Sequence, residues 1–139
     1  MGNADPNALQ VAVAASQAAE RVGMPEAHLI LAQAAIYVAT APKSNSVTTA
    51  IGAAMESVRT TKATVPVHLQ DAHYGGAAKL GHGAGYQYAH DYPKHFSRQR
   101  YLPRELGDTV FYHPSENGYE QTIQKYLDWL HQDDQSGME

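Results

Sequence analysis

Wound as a helix, the stretch Leu29–Val38 (LILAQAAIYV) is apolar on nearly every side, with Gln33 its only strongly polar residue. A helix with that pattern belongs in an interior rather than at a surface. It is too short for a bilayer span, which takes about 20 apolar residues. The expectation is therefore a core helix covered on all sides by the rest of the chain. The pattern breaks at Pro42 and restarts at Ser44-Asn45-Ser46, residue types that cap helix N-termini by accepting backbone N–H bonds.

Helical signals flank this stretch. Asp5-Pro6 places a capping carboxylate before a proline at the first helical position, where a missing N–H is harmless. That helix is predicted to run to about Arg21 and to stop at Gly23. Pro25-Glu26 opens the second helix, to about Thr40. The third starts at Ser44 or Ser46 and ends near Thr60, with Val47, Ile51, Ala54, Met55 and Val58 recurring at helical spacing. A last helix is predicted from Ser115 or Glu116 to His131, its stripe formed by Ile123, Tyr126, Leu127 and Leu130. Residues 133–139 read as a frayed polar tail.

Between these helices lies a long segment, about Lys62 to Asp108, rich in Gly, His and Tyr and without periodicity. Val65–Leu69, Tyr86–Asp91 and Thr109–Tyr112 read as short extended pieces, and Ala77–Leu80 as one helical turn. The fold class is mostly α, a compact helical domain of about four main helices within one 139-residue domain. The absence of cysteine excludes disulfides and thiol chemistry, and the formal charge of −4 argues against a general nucleic-acid coat.

Motif by motif, little chemistry emerges. Gly75–Gly85 is glycine-rich, yet Gly76-x4-Gly81 is followed by His82-Gly83, so the lysine and hydroxyl of a phosphate loop are missing. A glycine-permitted loop is the reading. His68 with His73 and His90 with His95 are the nearest histidine pairs among eight, and neither has metalloprotease spacing. No metal or cofactor is assigned, and no catalytic residue. Lys79, Lys94, Arg98, Arg100 and Arg104 interleave with Tyr92, Phe96 and Tyr101, the mixture a single-strand-binding surface uses. Direct DNA contact there is the alternative to a solvated loop. Lys43, beside a helix start, raises an anion site, against which a plain capped turn is favoured.

Five strings carry a resemblance: Ala4–Leu9, Ala39–Ser46 with its turn Pro42, Lys43, Ser44, Asn45 and Ser46, Val65–Leu69, Gly85–Asp91 and Tyr101-Leu102-Pro103. Together they resemble the C-terminal region of the bacterial MgsA/RarA group of replication-associated AAA+ ATPases, whose eukaryotic relative is the Werner helicase-interacting protein. The resemblance covers essentially the whole chain. It implies a clamp-loader-type helical domain that follows a AAA+ module and drives homotetramer assembly. It further implies a cytoplasmic, fork-associated parent acting in replication, recombination and repair at stalled forks or gaps. That parent is a DNA-dependent ATPase that meets single-strand-binding protein. This chain lacks the ATPase module, so ATP and magnesium belong to the absent part and the fragment itself is not expected to hydrolyse ATP. The resemblance supplies no catalytic residue.

Overall fold

The computed structural model describes residues 1–71, 81 and 83–132. The described residues hold four α-helices: α1 (Asn7–Val22), α2 (Ala27–Thr40), α3 (Ser46–Thr60) and α4 (Glu120–His131). There is no strand among the described residues. None of the described helices is long and apolar enough to cross a membrane. The expected helical turn at Ala77–Leu80 and the tail 133–139 lie outside the described residues. By internal contacts the chain divides into two compact units. The first is Met1–Ile51 with Tyr112–Trp129, and the second takes in the described residues of Gly52–Phe111 and Leu130–Glu139.

In the first unit, α1 and α2 form an antiparallel pair: Asp5, before α1, accepts a bond from the Tyr37 hydroxyl, near the end of α2, at 3.3 Å. Asp5 also caps α1, its carboxylate accepting the Asn7 N–H at 3.0 Å. Gly23 ends the helix at φ +75°, its N–H reaching the Ala19 carbonyl. Both ends fall where the sequence places them. The seam between the helices is built from alanine. Ala8, Ala15 and Ala27 are buried, and small side chains let the two backbones approach closely.

The expectation of a helix buried on all sides is corrected. Only Ala27 of α2 is buried. α1 covers the seam side, while Leu29 and Ile36, on the opposite side, are 79% and 65% exposed. The amphipathic stripe of α3 is likewise open, with Val47, Ile51, Met55 and Val58 all exposed. The buried apolar set is Ala4, Ala8, Ala15, Ala27, Ala41 and Leu130. A chain of alanines removes little apolar area from water per residue, so large side chains are left at the surface.

The start of α4 is also corrected. It begins at Glu120 rather than at Ser115 or Glu116. Gly118 at φ +54° interrupts the helical backbone, and the Ser115 side chain is turned onto Glu120. The inward stripe of α4 then has Glu120 and Leu130 buried and Ile123 and Leu127 half-buried, while Tyr126 and Trp129 stay exposed with their rings 5.7 Å apart.

In the second unit, two pieces expected to be extended contain 3-10 turns, Val67–Leu69 and Ala89–Asp91. The first turn forms because the Pro66 carbonyl accepts the Leu69 N–H at 2.9 Å. Residues 109–112 adopt no regular element. Gly81, Gly83 and Gly85 all have positive φ, as a glycine-permitted loop requires. The Gln99 side-chain amide accepts the Gln87 N–H at 3.0 Å and donates to the Gln87 carbonyl at 2.8 Å, tying two irregular segments together.

Candidate functional site

The polar centre of the first unit is Glu120, fully buried at 0% exposure. One oxygen, Oε1, accepts the Ser46 hydroxyl and the Tyr112 hydroxyl, the latter at 2.9 Å. The other, Oε2, accepts the Ser115 N–H at 2.8 Å and its hydroxyl at 2.5 Å. Tyr112 in turn accepts the Asn3 amide at 3.2 Å. Burial pushes the Glu120 carboxyl up, but the hydroxyls of Ser115, Ser46 and Ser44 and the Ser115 N–H outweigh it. They hold the group at about 2, against an ordinary 4.5. The carboxylate is therefore ionised, and four donors fill the acceptor positions of its two oxygens. That arrangement suits a structural latch and leaves no oxygen to act on a substrate.

The latch gathers the turn Pro42–Ser46, the segment before α1 and the start of α4. Lys43 does not face the start of α3. It folds back, and its ammonium donates to the carbonyls of Val38 at 3.1 Å, Ala39 at 3.0 Å and Ala41. These are the unpaired carbonyls at the α2 C-terminus, where a cation is favoured by both hydrogen bonding and the helix dipole. The helix-to-helix turn forms with Lys43 capping the end of α2 rather than facing the start of α3. Asn117 donates to the Lys43 carbonyl at 2.9 Å, and Ser44 accepts the Ser46 N–H at 3.1 Å. Replacing Lys43 with methionine should lower stability by about 1 kcal/mol, measured as a urea-midpoint shift; an unchanged midpoint would show that the cap contributes nothing.

The cations expected to contact DNA are distributed as follows. Lys79 lies outside the described residues. Lys94 and Arg98 line a cavity of about 320 Å³ with Tyr92, Phe96 and Leu130. Lys94 and His95 hold the backbone at φ +61° and +50°, a left-handed conformation uncommon outside glycine. Arg100 and Arg104 line a separate cavity of about 620 Å³. Arg100 is engaged, donating to the Gly107 carbonyl and to the Asp108 carboxylate, both at 2.8 Å. His90 and His95 meet ring to ring at 5.0 Å, but no group of three metal-ligating side chains occurs among the described residues. His73 lies outside them.

Glu120 escapes sequence reasoning because an acid at a helix start looks like a solvated dipole partner. The available signal is its place on the stripe that continues through Ile123, Leu127 and Leu130, together with the hydroxyl residues Ser44, Ser46 and Ser115.

An alanine-seamed helix pair, closed by a latch between the α2–α3 turn and α4, defines a helical domain. A family model described as MgsA AAA+ ATPase C terminal matches residues 1–131. The chain belongs to that family, as the resemblance implies. It is similar to an AAA-domain-containing protein of Mycobacterium tuberculosis, 53% identical over 131 residues, covering 94% of this chain and 29% of that protein. Replication-associated recombination protein A of Escherichia coli is 42% identical over 138 residues, covering 98% of this chain and 31% of that protein. The Dictyostelium discoideum ATPase WRNIP1 is 37% identical over 114 residues, covering 81% of this chain and 13% of that protein. The chain thus spans under a third of the curated relatives it matches, and the residues matched by the family model, 1–131, include the turn Pro42–Ser46 that contributes Ser46 to the latch.

Proposed function

We propose that this chain is the C-terminal assembly and interaction domain of a AAA+ ATPase that acts in DNA replication, recombination and repair at stalled forks or gaps, assembling as a homotetramer. The names of its relatives support the setting. Hydrolysis, with ATP and magnesium, belongs to the part of the protein outside this chain. DNA and single-strand-binding protein are partners of the whole protein, in the cytoplasm at the replication fork. The observation that carries the assembly reading is the outer face of α2. Leu29 and Ile36 are exposed there, with Leu9 and Val13 exposed on α1. Exposed large apolar side chains such as Leu29 and Ile36 on one helix face mark interaction sites, and a dihedral tetramer repeats the same patch on each copy.

Light scattering at tens of micromolar is expected to give a tetramer. The double variant Leu29→Glu, Ile36→Glu should be a monomer with unchanged helical circular dichroism, because both side chains are already exposed within one chain. A strictly monomeric parent, or a double variant that still assembles, would overturn the reading.

A second reading, single-strand contact by the Lys79–Arg104 segment, is favoured by one observation. Tyr92 and Phe96 share their cavity with Lys94 and Arg98, and rings beside cations suit bases and phosphates. It predicts binding of a dT oligonucleotide that weakens with salt; no binding at low salt would sink it.

A further inference from the structure

The second unit brings two histidines together at its surface. His90 lies in the 3-10 turn Ala89–Asp91, and His95 closes the following turn, Pro93–His95. Both residues are exposed. Their ring centres are 5.0 Å apart and the ring planes are tilted by 54°. His90 also meets the Tyr88 ring, again at 5.0 Å. The backbone delivers His95 to this position at a cost, because Lys94 and His95 sit at φ +61° and +50°. Two successive residues with side chains in the left-handed region are strained, and strain of this kind collects where a functional group is held in place. Contact between two exposed imidazoles removes little area from water, so the ring pair by itself does not offset that cost.

We propose that His90 and His95 together bind one late first-row divalent metal ion such as zinc, each through one imidazole nitrogen, with water in the remaining positions. The ring separation carries the assignment. Zinc–imidazole bonds are about 2.0–2.1 Å long. An ion lying in the planes of two rings with centres this far apart makes an angle of about 100–110° with their nitrogens, close to tetrahedral. Imidazole suits zinc, nickel and copper, whereas magnesium and calcium take oxygen ligands. No third metal-ligating side chain joins the pair among the described residues, so the site is an open one, with positions left for solvent. The ammonium of Lys94, adjoining His95 in sequence, works against a second cation. Two ligands beside a positive charge set the expected affinity at about 10 µM. The inference does not depend on assembly through the outer face of α2.

Isothermal titration of zinc chloride into the 139-residue chain at neutral pH tests this, with magnesium chloride as the comparison. One zinc per chain is expected, and no magnesium uptake at about 1 mM. His90→Ala and His95→Asn should each weaken zinc binding by at least about 10-fold, since each removes one of two ligands. Asparagine is chosen at His95 because it tolerates the left-handed backbone there. His68→Ala should bind like the parent, its ring being engaged elsewhere with the Arg100 carbonyl at 2.8 Å. Paramagnetic nickel supplies a second measurement on the unaltered chain. It should broaden the ring-proton NMR signals of His90 and His95 before those of the other histidines among the eight. Unchanged circular dichroism confirms that each variant is folded; should one fail to fold, the other and the nickel measurement decide. Zinc binding equal in parent and folded variants, broadening spread evenly over the histidines, or no zinc uptake at about 1 mM would each overturn the proposal. Magnesium bound as tightly as zinc, or zinc binding lost in His68→Ala instead, would equally overturn it.

Discussion

Gly118→Ala is expected to destabilise the first unit by about 3–5 kcal/mol, an effect of the size produced by steric conflict in a packed interior. A Cβ at this position would stand 2.1 Å from the Ala4 carbonyl oxygen and 2.7 Å from Cγ of Pro42. The first neighbour is backbone and has no rotamer with which to retreat. The residue also sits at φ +54°, where a side chain adds a further 1–2 kcal/mol or so. Relief by backbone movement would break the bond from the Tyr119 N–H to the Ala4 carbonyl, now 2.9 Å, and pull the start of α4 away from the turn. Urea unfolding followed by circular dichroism measures the loss as a lower midpoint at unchanged slope. A variant within about 1 kcal/mol of the parent would mean that the close packing of Ala4, Pro42 and Gly118 is dispensable.

Glu120→Ala is the second large effect. It removes the acceptor for Ser46, Tyr112 and both Ser115 donors, leaving buried groups unsatisfied at about 1–3 kcal/mol each before relaxation. A net loss of about 3 kcal/mol is expected. Acid provides an independent measurement. The folded carboxyl lies at about 2 and the ordinary value is 4.5. The folded value is depressed, so the stabilisation is fully present above pH 4.5 and drains away as pH falls from there towards 2. The shift corresponds to about 3 kcal/mol over that window. Glu120→Gln keeps the shape without the charge, so its stability should start lower and change less between pH 5 and pH 2. Parallel acid profiles for parent and glutamine variant would remove Glu120 from the account.

These two residues mark the limit of what was legible in the sequence. The α1 cap at Asp5, the stop at Gly23, and helices α2 and α3 follow from capping and proline chemistry acting within a few residues, and the structure agrees with them. The turn Pro42–Ser46 was legible as a capped break. That Lys43 caps the preceding helix was not, because the choice between two adjacent helix ends depends on where a flexible side chain folds. The start of α4 was misplaced because Ser115 and Glu116 have the composition of a helix start, while contacts with distant Ala4 and Pro42 require the left-handed Gly118.

By itself, the sequence determined a mostly helical chain, its three leading helices with their ends, the absence of thiol chemistry, and the family. All of these rest on local backbone preferences or on strings of adjacent residues. Only the tertiary structure decided three further things: that Glu120 is a buried latch, that Lys94 and Arg98 line one cavity and Arg100 and Arg104 another, and that the apolar α2 is covered by α1 on its seam side while Leu29 and Ile36 stand exposed. Hydrophobic patterning reports that a surface avoids water. It carries no information on whether the cover comes from the same chain, which is why Leu29 and Ile36 read as core and stand exposed.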